Sequence, residues 1–255
     1  MKLKGRRFVI TGSASGMGAA SVRAFVREGA DVIGIYRRRG VEALTTELAG
    51  QAGSVEFLRA DVSDKDEMFA AVDEAARRLG GLDGLVHAAA IAPTTAAEDI
   101  SVEQLDEVLR INVRGTMLSN QAVLPYLKEK GGRILNFASS TGATGSAIKA
   151  DYAASKGAVL AWTRSVAVAW ARYGITVNAI CPVISTDMYQ ATRDAMTSEQ
   201  LAAHDRSLAS AIPLGGKFGD ADRDFAPVAV FLAGDGARFM TGQMFSVDGG
   251  VLMPR

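Results

Sequence analysis

Short apolar runs alternate along the whole chain with longer stretches in which apolar residues recur every three or four positions. The runs predict strands near 6–11, 31–36, 54–60, 83–88, 132–138, 175–180 and 243–247. The periodic stretches predict helices near 17–29, 40–50, 64–79, 101–129, 151–173 and 221–233. Strand and helix in alternation give an α/β fold, a parallel sheet of about seven strands with helices on both faces. Right-handed crossovers then gather the carboxyl ends of the strands into a ligand site. No linker, repeat or low-complexity tract interrupts the alternation, so residues 1–255 read as one domain. Residues 186–215 depart from it. They are rich in Thr, Ser, Asp, Met and Ala, and they run from a strand end to just past Pro213. A long excursion over the carboxyl edge suits a substrate lid.

Composition narrows the function. An apolar share of 48% over 255 residues is enough for a sizeable core. No apolar run reaches membrane-spanning length. The opening MKLKGRRFVIT is basic, but its apolar stretch leads into a glycine turn and reads as a strand, not a secretory signal. The single cysteine, Cys181, excludes an intramolecular disulfide and suits a cytoplasmic protein. With 28 basic and 28 acidic residues the chain offers no electrostatic case for nucleic acid. His87 and His204 are too few and too far apart to suggest a metal site, and read as structural or surface residues.

Two stretches carry chemistry. TGSASGMG at 11–18 lies between a predicted strand and a predicted helix, with Gly12, Gly16 and Gly18 spaced GxxxGxG. Glycines there permit a tight turn and close approach of backbone to a diphosphate at the helix N-terminus. The alternative is a glycine turn that binds nothing. In DYAASKGAVLAW, Tyr152 and Lys156 are four apart at the start of an apolar helical pattern, so they share a face one turn apart. A phenol ordinarily titrates at about 10 and is a poor acid or base at neutral pH. A fixed ammonium beside it favours the phenolate, and a tuned tyrosine can act as general acid or base. An exposed pair on an ordinary helix is the alternative.

TGSASGMG, Asp61-Val62, Asn112, Ser139, Tyr152 with Lys156, Asn178 to Met188, and VDGG at 247–250 follow one another in a recognisable order and spacing. In these the chain resembles a classical short-chain dehydrogenase/reductase over nearly its whole length. The resemblance implies a Rossmann-type doubly wound sheet, a nicotinamide dinucleotide, and hydride transfer between a ketone and a secondary alcohol. It assigns catalysis to Asn112, Ser139, Tyr152 and Lys156. Ser140 adjoins Ser139, but counting from Asn136 to Gly142 favours Ser139. Tyr152 would exchange the proton while Ser139 bonds the substrate oxygen. Lys156 would lower the tyrosine pKa and hold the nicotinamide ribose. Asn112 resembles the asparagine that kinks its helix and holds a relay water; a satisfied core polar group is the other reading. The family's C-terminal segment and long helices also imply a homotetramer, and 186–215 corresponds to its lid.

The resemblance places Gly12, Ser13, Ser15, Gly16, Met17 and Gly18 about the diphosphate and Asp61 with Val62 at the adenine. It places Ala88, Ala89 and Ala90 along the cofactor, and Pro182, Ile184 and Thr186 at the carboxamide. Asp61 could instead only cap a helix. At the end of the second strand, DVIGIYRRR puts Tyr36 where an NAD-selecting acid would stand, followed by Arg37. A guanidinium can pair with a ribose 2′-phosphate, so NADP(H) is favoured over NAD(H). A solvated arginine loop, or a Tyr36 that stacks on adenine, would leave selectivity weak, and Ser15 stands where many NADP enzymes carry a basic residue. Two further departures matter. The usual Asn-Asn-Ala-Gly reads His87-Ala88-Ala89-Ala90, which loses a supporting side-chain hydrogen bond. The usual Pro-Gly segment reads Cys181-Pro182-Val183-Ile184-Ser185-Thr186, one residue short.

Small, mostly apolar candidates for the substrate wall, among them Ala90, Ala92, Thr141, Ala143, Thr144, Ile148 and Tyr189, suit a neutral ketone or alcohol. The chain is most similar to 3-oxoacyl-carrier-protein reductases and cyclic-alcohol dehydrogenases, so a 3-oxoacyl thioester is an alternative substrate. A non-catalytic dinucleotide sensor or scaffold is another alternative, but it would be expected to lose Ser139, Tyr152 or Lys156, and all three are present.

Overall fold

The computed structural model describes residues 1–38 and 40–253, and the backbone alone at 187, 188 and 192. Arg39 of the arginine run, and residues 254 and 255 of the C-terminal segment, lie outside the described residues. Seven parallel strands form one sheet: β1 (Arg7–Thr11), β2 (Asp31–Tyr36), β3 (Ser54–Arg59), β4 (Gly84–His87), β5 (Gly132–Phe137), β6 (Ile175–Pro182) and β7 (Met244–Val247). Their order is β3-β2-β1-β4-β5-β6-β7. The chain builds outward from β1 in one direction, then restarts at β4 and builds the other way. The strand ends therefore part between β1 and β4, where doubly wound sheets bind ligands.

The inner strands are apolar on both faces because helices cover both, whereas the edge strand β3 exposes Ser54, Glu56 and Arg59. On β1, Phe8 and Ile10 join one core and Val9 joins the other. The first core packs against α1 (Gly16–Arg27), α2 (Glu42–Leu48) and α10 (Ala226–Ala233). Phe8 meets Phe25 there edge to face, with ring centroids 4.9 Å apart. The second core packs against α3 (Lys65–Leu79), α5 (Gly115–Leu127) and α7 (Ala150–Trp170). A fully buried side chain of this size contributes about 1.5–3 kcal/mol, and the inner strands are buried almost without interruption. Helix ends follow local chemistry. Asp64 caps α3 by accepting from Glu67 N at 3.0 Å, and Gly80 ends it at φ 69°.

Two expectations are corrected. The predicted helix 101–129 is α4 (Val102–Leu109), a π turn at Arg110–Arg114, and α5. Residues 186–215, where no helix was expected, hold α8 (Asp187–Asp194) and α9 (Ser198–Ala211). Thr197 and Gln200 form a reciprocal capping box at the start of α9, and the sequence Thr-Ser-Glu-Gln announces it. A one-turn helix, α6 (Thr141–Thr144), precedes α7. Among the described residues no helix is long and apolar enough to cross a membrane.

Candidate active site

A cleft of about 520 Å³ opens where β1 and β4 part. One wall is the glycine turn. A Cβ on Gly12 would stand 2.8 Å from Ala89 N, and one on Gly18 would stand 2.1 Å from Gly12 O, so neither position admits a side chain. Gly16 differs. Its φ is +53°, and a Cβ there would meet only Thr186 Cγ2, at 3.7 Å, so the space it leaves is the cleft itself. Ser15 makes no side-chain cap on α1, and the first-turn residues Gly16, Met17 and Gly18 line the cleft. An uncapped helix start with no side chain over it is a built anion site, and these residues fit the diphosphate of a nicotinamide dinucleotide.

Of the residues expected on the cofactor, Gly12, Ser15, Gly16, Met17, Gly18, Tyr36, Arg37, Asp61, Val62, Ala88, Ala89, Ala90 and Thr186 line this cleft. Three do not. Ser13 is fully buried and its hydroxyl donates to Ile35 O at 3.0 Å, so it ties β1 to β2 and faces away from the cleft. The shortened segment after β6 bonds elsewhere. Val183 N donates to Val247 O at 2.9 Å, and Ser185 N donates to Gly219 O at 2.8 Å. That path turns Ile184 into the core beside Phe225 and leaves Pro182 on the last rung of β6. Thr186 has a second task, accepting from Tyr189 N at 3.3 Å to cap α8.

At the adenosine end, Asp61 is the centre of a charged network. Its Oδ1 accepts from Ser63 N at 2.9 Å and Ser63 Oγ at 2.6 Å. Its Oδ2 lies 3.5 Å from Arg37 Nε and 3.6 Å from Arg110 Nη1. Burial pushes the carboxyl up, but the Ser63 bonds and the two guanidiniums outweigh it and hold the pKa below the ordinary value. Sequence reasoning missed Arg110, because only the π turn after α4 brings it to Asp61. Tyr36 packs edge-on to Phe57, with ring centroids 6.3 Å apart.

The catalytic candidates gather beyond Ile91, the last residue of that cleft wall. Asn112 Oδ1 accepts from Ile91 N at 2.9 Å, and its Nδ2 donates to Ile91 O at 2.9 Å and to Ser155 Oγ at 3.0 Å. The asparagine in the π turn thus clamps the cleft wall to α7. Tyr152 and Lys156 stand on α7, with the ammonium 5.6 Å from the tyrosine ring centroid. Ser139, just past β5, accepts from Thr141 N at 3.2 Å and Thr141 Oγ1 at 2.9 Å. Burial raises the Tyr152 pKa and the nearby Ser139 opposes the rise, but burial prevails. The expected lowering by Lys156 is not what this arrangement gives, because the ammonium is directed at Phe137 O, 2.7 Å away. Lys156 is itself pushed down to about 8 by burial.

His87 stands at the first position of the usual Asn-Asn-Ala-Gly. Its Nδ1 lies 2.9 Å from Thr11 Oγ1, a bond that joins β4 to β1 across the switch point. Its Nε2 is buried without a partner among the described residues. Burial, then the charge of Lys156, push its pKa down to about 3.

This geometry has close counterparts. A family model described as enoyl-(acyl carrier protein) reductase matches residues 12–252. The 2-(S)-hydroxypropyl-CoM dehydrogenase 3 of Xanthobacter autotrophicus is 37% identical over 98% of each chain. The chain is a short-chain dehydrogenase/reductase. A 3-oxoacyl-[acyl-carrier-protein] reductase of Thermotoga maritima is 35% identical over 99% of this dehydrogenase/reductase and 100% of its own length. The crystal structure of levodione reductase superimposes with a TM-score of 0.89 at 31% identity, covering 97% of this chain and 98% of that one. The enzyme is therefore an oxidoreductase that interconverts ketone and secondary alcohol by hydride transfer with NAD(P)(H). Its single sheet of seven parallel strands is the one anticipated from the sequence.

Proposed function

We propose that this reductase acts on a neutral, mostly apolar ketone or secondary alcohol with Tyr152 as the acid/base, and that it prefers NADP(H). The observation that carries the mechanism is Lys156. It is 2% exposed, has no carboxylate partner among the described residues, and spends one hydrogen bond, on Phe137 O. An ammonium with donors to spare in so dry a place suits ligand hydroxyls, here those of the nicotinamide ribose. The bound nicotinamide supplies or accepts the hydride. Tyr152 gives the proton to the substrate oxygen in reduction, and Ser139 bonds the same oxygen as charge develops. Asn112 fixes the cleft wall against α7, so that Tyr152 and the cofactor site keep one geometry. Tyr152→Phe keeps the ring and removes the proton. Turnover should fall roughly 10²–10⁴-fold with cofactor affinity retained, and activity within a few-fold of the parent would refute the assignment.

Arg37 on the cleft wall, with Tyr36 in place of an acid, supports NADP(H). Titration of both cofactors tests it. Residues 186–215 act as the lid in this reading. Within them Arg193 pairs with Asp205, and Gln190 Nε2 bonds Asp194 at 3.0 Å. Exposed Val168 on α7, and exposed Phe231 and Phe239 at and after α10, support assembly into a homotetramer. Sedimentation at micromolar concentration tests that. The lone buried Cys181 fits a cytoplasmic enzyme.

A further inference from the structure

We infer that Asp61 sets the choice between the two dinucleotides by competing with a ribose 2′-phosphate for Arg37. The inference rests on the reading that Arg37 meets that phosphate. Asp61 Oδ2 has two guanidiniums near it, Arg37 Nε at 3.5 Å and Arg110 Nη1 at 3.6 Å. Oδ1 is occupied by Ser63. Arg110 also donates to Ser63 Oγ, and Arg59 Nε donates to Arg37 O at 3.2 Å, so the whole turn is drawn in around the carboxylate. Asp61, Arg37 and Tyr36 all line the same cleft.

A dinucleotide without the 2′-phosphate leaves this pair as it is. One with the phosphate brings a second anion to a guanidinium that already has a carboxylate beside it. The phosphate must share Arg37 or draw it away from Asp61. Arg37 and Asp61 are partly exposed, at 49% and 21%, so solvent weakens but does not erase their pairing. Replacing Asp61 by asparagine keeps one oxygen for Ser63, removes the charge, and turns the second position into an amide donor that cannot hold Arg37.

The test uses 2′,5′-ADP and 5′-AMP, which differ by the 2′-phosphate, titrated calorimetrically into the parent, Asp61→Asn, Arg37→Ala and the double variant. Asp61→Asn should tighten 2′,5′-ADP relative to 5′-AMP on the order of tenfold, whatever it does to the adenine contact that the two ligands share. The relative gain should vanish in the Arg37→Ala background, because it acts through Arg37. Equal changes for both ligands would mean that Asp61 serves only adenine or local folding, and would overturn the inference. So would a relative gain that survives in the double variant. The NADP reading fails separately. If the parent binds both ligands alike and Asp61→Asn creates a preference, competition by Asp61 stands while the wild-type preference for NADP(H) falls.

Discussion

Acidifying the protein from pH 7.5 to pH 5 should expose a stability cost that belongs to one side chain, His87. The imidazole is 1% exposed and its pKa is pushed down to about 3, whereas an unfolded histidine titrates at about 6.5. Between those values the unfolded chain holds a proton that the folded chain does not. Stability therefore rises with pH across this window and falls as the solution is acidified. Integrating one proton from pH 7.5 to pH 5 gives a loss of about 2 kcal/mol. Other perturbed groups act elsewhere. Asp61 and Asp83 are held below the ordinary carboxylate value, so their stabilisation is lost only below about pH 4. Lys156, pushed down to about 8, matters only above that pH. His87→Asn keeps a polar group at the switch point and removes the titration. Urea unfolding at fixed protein concentration should show the parent losing about 2 kcal/mol more than His87→Asn over this range. With only two histidines in the chain, NMR of the imidazoles offers a second reading, and the His87 ring should remain neutral at pH 5. Parallel losses in parent and variant, or a protonated His87 ring at pH 5, would refute the reasoning.

Lys156→Ala should weaken cofactor binding and slow turnover, and should leave the pH profile for alcohol oxidation in place, because the ammonium is directed at Phe137 O and does not lower the phenol. A profile moved to higher pH would mean that the ammonium tunes Tyr152 after all. Gly18→Ala places a Cβ 2.1 Å from Gly12 O, so cofactor titration should find binding lost or severely weakened; parent-like affinity would mean that the turn is not the diphosphate site. Thr197→Ala removes half of a capping box and should destabilise α9 by about 1 kcal/mol, read as faster amide exchange over 198–211 with the sheet unchanged.

The sheet was legible because its strands are buried on both faces. Apolar runs such as Phe8-Val9-Ile10 and Ile134-Leu135 admit little else between helical patterns, and all seven strands lie within about two residues of their expected bounds. What the sequence hid was set by distant partners. The π turn at Arg110–Arg114 holds Asn112 to Ile91 and Ser155, and no local period encodes such contacts. Side-chain direction was equally hidden. Ser13 sits inside a glycine turn that reads as a ligand site, yet its hydroxyl serves Ile35. The one-residue deletion near Val183 was visible, but its effect, Ile184 turned into the core, depends on Gly219, which is distant in sequence. The α9 start was the opposite case, a local capping signal in a segment where no helix was expected.

Helix α9 has no buried residue among those described. It is fastened through side chains alone, Tyr189 OH to His204 Nε2 at 2.9 Å and Arg193 to Asp205. Surface substitutions of that kind ordinarily change stability by no more than about 0.5 kcal/mol. The part of the chain that overhangs the carboxyl edge can therefore vary at little cost to the sheet beneath it. Selection could rewrite 198–211 repeatedly for new substrates while the proton-transfer and dinucleotide machinery stayed intact. In such a molecule evolvability resides in the cover, and constraint in the floor.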